Sequence, residues 1–216
     1  MLSLSDIWPL FDLELRSPRL SLRPVRDEDI PGLADAALAG IHDPAVMPFG
    51  VPWTDAPAEE LPRNIALYQW SLRGRVHRDD WVIPFVVRHE GTVIGAQDVS
   101  GTQFGATRTV QTGSWLTSSA QGRGLGKEMR AAVLLFAFDY LGAEVAETSA
   151  AAWNEASIGV TTSLGYEPNG VHRATRRPGQ VNDEVHFRVP SERFVRPDWS
   201  LDVHGLDRAK TQLLGH

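Results

Sequence analysis

Two hydrophobic periods alternate along the chain, and the switches between them divide it into elements. In Arg19–Pro24, Leu20 and Leu22 alternate with Ser21 and Arg23, a period of two that predicts a strand. Asp27 can cap the helix that follows, with Pro31 near its first turn and the Ala/Leu-rich Leu33–Leu38 as its body. His42–Pro57 has no period. Its four prolines (Pro44, Pro48, Pro52, Pro57) lie among Met47, Phe49 and Trp53, which reads as the lid or wall of a cleft, or as a loop packed on the core. In Ala58–Val76 the stripe Leu61, Ile65, Tyr68, Leu72 predicts a helix.

Strands then dominate. Trp81–Arg88 is apolar and β-branched, with Pro84 pointing to an edge or a bulge. A Glu90-Gly91 turn leads to a second strand, Thr92–Val99, and Thr109–Leu116 is a third, in which Gly113 marks a bulge or a close backbone approach. Gly124–Tyr140 is a helix carrying Leu125, Met129, Val133, Phe136 and Tyr140 on one face. Glu144–Ala150 is a strand. Glu155–Ser163 is a helix capped by Asn154 and ended by Gly165, and Tyr166–His172 and Glu184–Val189 are closing strands. From Pro190 the chain turns polar, so residues 1–190 read as one domain and 191–216 as an appendage. Short turns make the central meander antiparallel, and the strand–helix–strand crossover makes one pair parallel. The fold class is therefore α/β, a mixed and mostly antiparallel sheet with flanking helices.

Composition narrows the function. The 216 residues include no cysteine, which excludes a disulfide framework, a thiolate nucleophile, a cysteine-type zinc site and an iron–sulfur cluster, and fits a reducing cytoplasm. Lys plus Arg number 21 against 27 Asp plus Glu, a net charge of −6 without a basic block, so no nucleic-acid partner is expected. Met1–Leu15 lacks the pattern of a signal peptide, and no stretch has the ~20 apolar residues of a membrane span. The seven histidines show no ligand spacing such as HExxH, so no metal is expected. Seven Trp and a long apolar loop on an acidic chain predict a homodimer.

The chemistry concentrates in Trp115–Lys127, WLTSSAQGRGLGK, where a strand ends and a glycine-rich turn opens a helix. Gly122, Gly124 and Gly126 admit a ligand close to the backbone, and the first helical N–H groups lie at the positive end of the helix dipole. Together they make an anion cradle suited to a pyrophosphate, with Arg123 and Lys127 beside it. The segment is not a Walker A, which needs Gly where Gln121 stands and Ser or Thr after Lys127. It is not a dinucleotide GxGxxG either, which needs Gly at Lys127. What remains is Gln121-x-x-Gly124-x-Gly126, which resembles the coenzyme A loop of the GNAT superfamily of acyltransferases. A second segment, WNEASIGVTTSLGY over 153–166, resembles that superfamily's other hallmark: Asn154, a short helix, then Leu164-Gly165-Tyr166 opening a strand. Asn154 and Ser157 match the Asn-x-x-Ser form of the branch that contains ribosomal-protein N-terminal acetyltransferases. Trp8-Pro-Leu-Phe and the His42–Trp53 loop look like an actinobacterial succinyltransferase-like subgroup of it.

The resemblance covers roughly residues 13–190. It implies the GNAT fold and a direct transfer of an acetyl group, or a succinyl group, from acetyl-CoA or succinyl-CoA to a primary amine of a small molecule, peptide or protein N-terminus. The cofactor site it implies runs through Ser114, Trp115 and Leu116, the loop Gln121, Gly122, Arg123, Gly124, Leu125, Gly126 and Lys127, and then Asn154 and Ser157. Ser114–Leu116 would pair with the pantetheine amides, the Leu116 N–H would hold the thioester oxygen, and Ser157 would protonate the leaving thiolate. Two positions depart from the family: Gln111 stands where many relatives carry a Glu base, and Thr161 where many carry a Tyr acid. Glu147, Glu184, Asp98 and His186 are the alternative bases, with water as a relay. Arg73, Arg75 and Arg108 are available to a succinyl carboxylate. The two departures also leave open a non-catalytic coenzyme A-binding or sensing domain.

Overall fold

The computed structural model of the protein describes residues 1–214. Nine strands form one sheet in the order β7-β8-β6-β5-β4-β3-β2-β1-β9. In chain order, a short helix α1 (Leu4–Ile7) precedes β1 (Glu14–Arg16) and β2 (Leu20–Pro24). The helices α2 (Ile30–Leu38) and α3 (Leu61–Arg73) follow, then β3 (Trp81–His89) and β4 (Thr92–Gly101). After a one-turn α4 (Phe104–Thr107) come β5 (Thr109–Leu116), α5 (Leu125–Leu135), β6 (Val145–Ala151) and α6 (Glu155–Ser163). The hairpin β7 (Glu167–Arg177) and β8 (Gln180–Pro190) leads to β9 (Asp202–His204) and α7 (Leu206–Leu214). All pairings are antiparallel except β5–β6, the product of the α5 crossover. None of the described helices is long and apolar enough to cross a membrane.

Each face of the sheet is covered by the helices whose stripes fit it. Ile30 and Leu33 of α2 and Ile65 of α3 pack on Val86 and Ala96. Leu125, Met129 and Val133 of α5 pack on Val99, Val110 and Ala146 on the other face. Several expectations change in three dimensions. Pro84 lies inside the sheet, on neither an edge nor a bulge; its carbonyl accepts from Val25 N at 2.9 Å just past the end of β2, so its missing N–H interrupts no ladder. The β3–β4 bulge falls at Val87/Arg88, and Gly113 pairs with Asp98 in unbroken register. The helix begun at Leu125 ends its α-helical part at Leu135, and Phe136–Leu141 form a π-helical turn closed by Gly142 at φ 74°. The closing strands are longer than their hydrophobic patterns, because Gly179 (φ 75°) turns a hairpin whose two arms are polar and largely exposed.

Residues 191–214 do not hang off the domain. Val203 pairs with Leu15, so β9 becomes the edge strand beyond β1. Ala209, Leu213 and Leu214 of α7 are buried in the main core. Leu213 has no exposed surface, so Leu213→Ala is expected to lower unfolding stability by about 2–5 kcal/mol. Chemical denaturation reads this directly, and a change within ~0.5 kcal/mol would show that the C-terminal segment is dispensable to the core.

Candidate functional site

The site begins where two strands part. β5 and β6 pair for only three registers, Thr109↔Val145 to Gln111↔Glu147, although both continue further. Beyond that point each is committed to its other neighbour, β5 to β4 and β6 to β8. On the side turned towards β6, the Thr112 carbonyl accepts from the Thr148 hydroxyl at 2.9 Å. The next carbonyl, Gly113, faces the other way and accepts from Gln97 Nε2 at 2.9 Å. Backbone groups alternate along a strand, so the N–H and C=O of Ser114 face the opening gap, and those of Leu116 lie in the same phase. The Leu116 carbonyl accepts from Gln121 Nε2 at 2.8 Å, which leaves the Leu116 N–H on the gap side.

The gap opens into a cleft of about 790 Å³. At its mouth, Gly122 (φ 69°) and Gly124 (φ 77°) adopt left-handed backbone that bends the chain into α5. Glu128 N bonds to the Gly124 carbonyl at 3.1 Å as the first helical hydrogen bond, so the amides of Leu125, Gly126 and Lys127 have no helical acceptor. A Cβ at Gly122 would meet nothing within 4 Å, and one at Gly126 would meet only Leu116 and Val160, no closer than 3.7 Å. Gly126 therefore has room for a side chain, whereas Gly122 has the room but a left-handed backbone that strains one, and at both positions the open space is the cradle itself. The buried carboxylate of Glu128 fixes the helix start: it accepts from Ser17 Oγ at 2.8 Å, Arg19 N at 2.8 Å and Arg19 Nε at 2.6 Å. Arg19 in turn donates to the Arg123 carbonyl at 3.0 Å.

The His42–Pro57 loop forms one wall of the cleft, through His42, Asp43, Val46, Pro48, Phe49 and Gly50. Phe49 packs on Trp53 and Trp53 on Trp115, with ring centroids 5.2 and 5.7 Å apart. Two arginines of β7 hold the loop from the far side. Arg176 donates to the Pro48 carbonyl at 2.6 Å, and Arg177 binds both Asp55 oxygens at 2.7 Å. Gln121 ties the loop's start by donating to the Ile41 carbonyl at 2.7 Å, so its amide orders the cradle and its N–H groups are already used.

Ser114, Trp115, Leu116, Gln121, Gly122, Gly124, Gly126, Lys127, Asn154 and Ser157 all line this cleft. Two expected cofactor residues do not. Leu125 is buried in the core and Arg123 is exposed outside the lining, so only their backbone borders the turn. Asn154 Oδ1 accepts from Ser157 N at 3.1 Å, the N-cap of α6, which holds Ser157 half-buried at the cleft wall. Of the four candidate bases only Glu184 lines the cleft, where it accepts from Ser149 and lies 3.3 Å from Arg176. Glu147 lies within the paired part of β6, outside the lining, and His186 stacks on His172 at 4.4 Å. Asp98 faces the Gly113 position from β4 beside Tyr68, and burial pushes its carboxyl up to about 7. Three residues that the sequence did not flag also border the cleft: Arg130, Arg176 and Ser149. A cation between Met129 and Ala131, inside the apolar stretch of α5, was the available signal for Arg130.

Comparisons with known proteins bear on this geometry. The family described as acetyltransferase (GNAT) domain matches residues 19–167. Mycobacterium smegmatis RimJ in complex with a CoA disulfide superimposes with a TM-score of 0.68 at 20% identity, over 93% of this chain and 94% of that one. Spermidine N-acetyltransferase from Vibrio cholerae, in complex with CoA and spermine, does so with a TM-score of 0.62 at 15% identity, over 83% of this chain and all of that one (100%). RimL, a ribosomal L7/L12 α-N-protein acetyltransferase in complex with coenzyme A, gives 0.61 at 17%, over 81% and 95%. At these identities the structures share the fold.

Asp98 yields a prediction about stability. Its folded value of about 7 lies above the ~3.9 of an unfolded aspartate. Between those values the native protein keeps a proton that the unfolded chain has released, so this carboxyl makes stability fall as pH rises from about 4 to about 7. Asp98→Asn should therefore be more stable than the parent at pH 8, by a margin that disappears near pH 4. Denaturation across that range checks it, and a margin independent of pH would contradict it.

Proposed function

We propose, from the premise that the chain belongs to the GNAT acetyltransferase family, that this cleft moves an acetyl group from acetyl-CoA directly to a primary amine. The observation that carries the reading is the continuity of one cleft from the free amides at the start of α5 to the unpaired edge of β5. A pyrophosphate suits the first part, through the amides of Leu125, Gly126 and Lys127 and the Lys127 ammonium. An extended pantetheine arm suits the second, pairing with Ser114 and Leu116 as an extra strand would.

The mechanism follows from charge. Amine attack puts negative charge on the thioester oxygen, and a fixed N–H in a water-poor cleft stabilises it. The Leu116 N–H on the gap side is the donor in this reading, with that of Ser114 next along the same edge. The tetrahedral intermediate collapses with the C–S pair going to sulfur, and Ser157 at the α6 wall supplies the proton. The ammonium loses its proton through water to a carboxylate, Glu184 at the cleft or Asp98 beyond Gly113. Holding both reactants in one cleft supplies much of the rate.

Relatives of this fold act on a protein N-terminus and on spermidine, and both are amines. The acceptor of this chain falls in that class and would enter along the His42–Pro57 wall. A succinyl donor is the alternative. Arg73, Arg75 and Arg108 do not border the cleft, and Arg73 is engaged by Asp27 at 2.6 Å. Arg176 is the cation that supports this alternative: it borders the cleft, its Nε is buried without an acceptor, and its Nη2 lies 3.3 Å from Glu184. Turnover with acetyl-CoA and none with succinyl-CoA would leave the acetyl reading alone.

Two variants test the assignment. Gly126→Glu should fold, since a Cβ there has room, yet lose the rise in Tm that acetyl-CoA gives the parent protein. No rise in the parent at millimolar acetyl-CoA would refute the cofactor reading. Ser157→Ala should keep its Kd for acetyl-CoA while kcat falls by about 100-fold or less, the low end of general acid catalysis because a thiol leaves readily. An unchanged kcat on an accepted amine would make Ser157 only a helix-start residue.

A further inference from the structure

The wall of the cleft holds a buried arginine with no carboxylate partner. Arg130, on α5, is only 5% exposed. It donates through Nη1 to Thr161 Oγ1 at 2.9 Å and through Nη2 to Ser114 Oγ at 3.0 Å, both neutral hydroxyls. Its Nε is buried without an acceptor. No Asp or Glu among the described residues forms an ion pair with it. Burial lowers its pKa, and the one titratable neighbour that acts on it is Tyr166, whose buried phenol is itself pushed up and stays neutral. The other groups around it, from β5, β6 and α6, are the uncharged Thr112, Ser114, Thr148 and Thr161.

A buried cation without a counter-ion is costly, and proteins keep such a group where a negative charge is to be met. Arg130 lies one and a half turns into α5 from the cradle and reaches the face of β5 where the unpaired edge begins. Its bond to Ser114, next along the same edge from the Leu116 N–H assigned to the thioester oxygen, sets the guanidinium beside the space a thioester sulfur would take. It also reaches Thr161, the position where the family pattern carries a tyrosine acid.

We infer that Arg130 meets the sulfur of coenzyme A beside Ser114 and stabilises the thiolate that forms when the acyl group departs. The inference rests on the coenzyme A reading of the cleft. In the step, the amine nitrogen bonds to the thioester carbon, the carbon–sulfur pair passes to sulfur, and the amine proton leaves through water. Arg130 keeps its own protons throughout. It supplies a fixed positive charge, and Ser157 or solvent then protonates the thiolate. The missing tyrosine is thereby replaced by a cation that lowers the need for a proton at the moment of bond breaking.

The test is the ionisation of the bound product, read as thiolate absorbance of coenzyme A on the intact protein from pH 6 to 10. The spectrum of the desulfo-coenzyme A complex is subtracted to cancel the tyrosines. On the parent protein the bound thiol should titrate at least one pH unit below free coenzyme A, a tenfold or greater preference for thiolate. Arg130→Met should return it to or above the free value, and Arg130→Lys should fall between. Desulfo-coenzyme A, which lacks the sulfur, should bind the parent and both variants within about twofold. A parent-bound thiol that titrates as free coenzyme A does, or the same curve in parent and Arg130→Met, overturns the inference. So does an unmoved titration with weakened desulfo-coenzyme A binding, which makes Arg130 a brace between β5 and α6. Where Arg130→Met does not fold, the parent titration and Arg130→Lys decide. If the parent binds neither coenzyme A nor its desulfo analogue, the cofactor reading fails instead.

Discussion

The rest of the structure depends on a parallel strand pair that stops after three registers. β5 stays with β4 and β6 with β8 to the ends of the strands, and the two part from each other past Gln111 and Glu147. A sheet that splits must leave backbone groups unpaired, and an unpaired edge is normally a liability. Here it opens onto a cleft, and two side chains mark its phase: Thr148 donates to the Thr112 carbonyl on the gap side and Gln97 to the Gly113 carbonyl on the other. An extended ligand can complete the sheet at Ser114 and Leu116, and the edge is then neither wasted nor open to another chain.

The surrounding elements keep the split open and shaped. Glu128 locks the turn before β2 to the first turn of α5, which fixes the anion cradle relative to the edge of β5. Gln121 ties the end of β5 to the start of the aromatic loop, and Arg176 and Arg177 hold that loop to the β7–β8 hairpin from the opposite side. These are polar contacts made by residues distant in sequence. The wall of the cleft is therefore set by long-range hydrogen bonds as much as by apolar packing, and the buried orphan atoms of Arg130 and Arg176 lie where that scaffold meets the open space.

Much of the fold was legible where burial imposes a period. The alternation of Leu20 and Leu22 and the stripe Leu125, Met129, Val133 each gave the right element, because one face of each meets the core. Legibility failed where both faces are wet or the element is short. Tyr166–His172 and Glu184–Val189 read as strands, but the stretch between them, Arg173–Asp183, is mostly exposed, so no hydrophobic period marked the rest of the β7–β8 hairpin. β9 has three residues, and its place beside β1 depends on a contact between the chain's two ends. The site divides in the same way. The glycine cradle was readable because its chemistry belongs to the backbone of one continuous segment. Arg130, Arg176 and Ser149 were not, because only the fold brings α5, β6 and β7 to one cleft. Glu147 failed as a cleft residue for the same reason: it lies where the strands are still paired.

Amide hydrogen exchange, resolved by residue and measured with and without coenzyme A, tests the central claim that the split edge is completed by the cofactor. Ser114, Leu116 and the first amides of α5, Leu125 to Lys127, should exchange quickly in the free protein and become strongly protected on binding, while Gly113, already facing β4, should change little. Saturating coenzyme A that leaves Ser114 and Leu116 as fast as in the free protein would contradict the account.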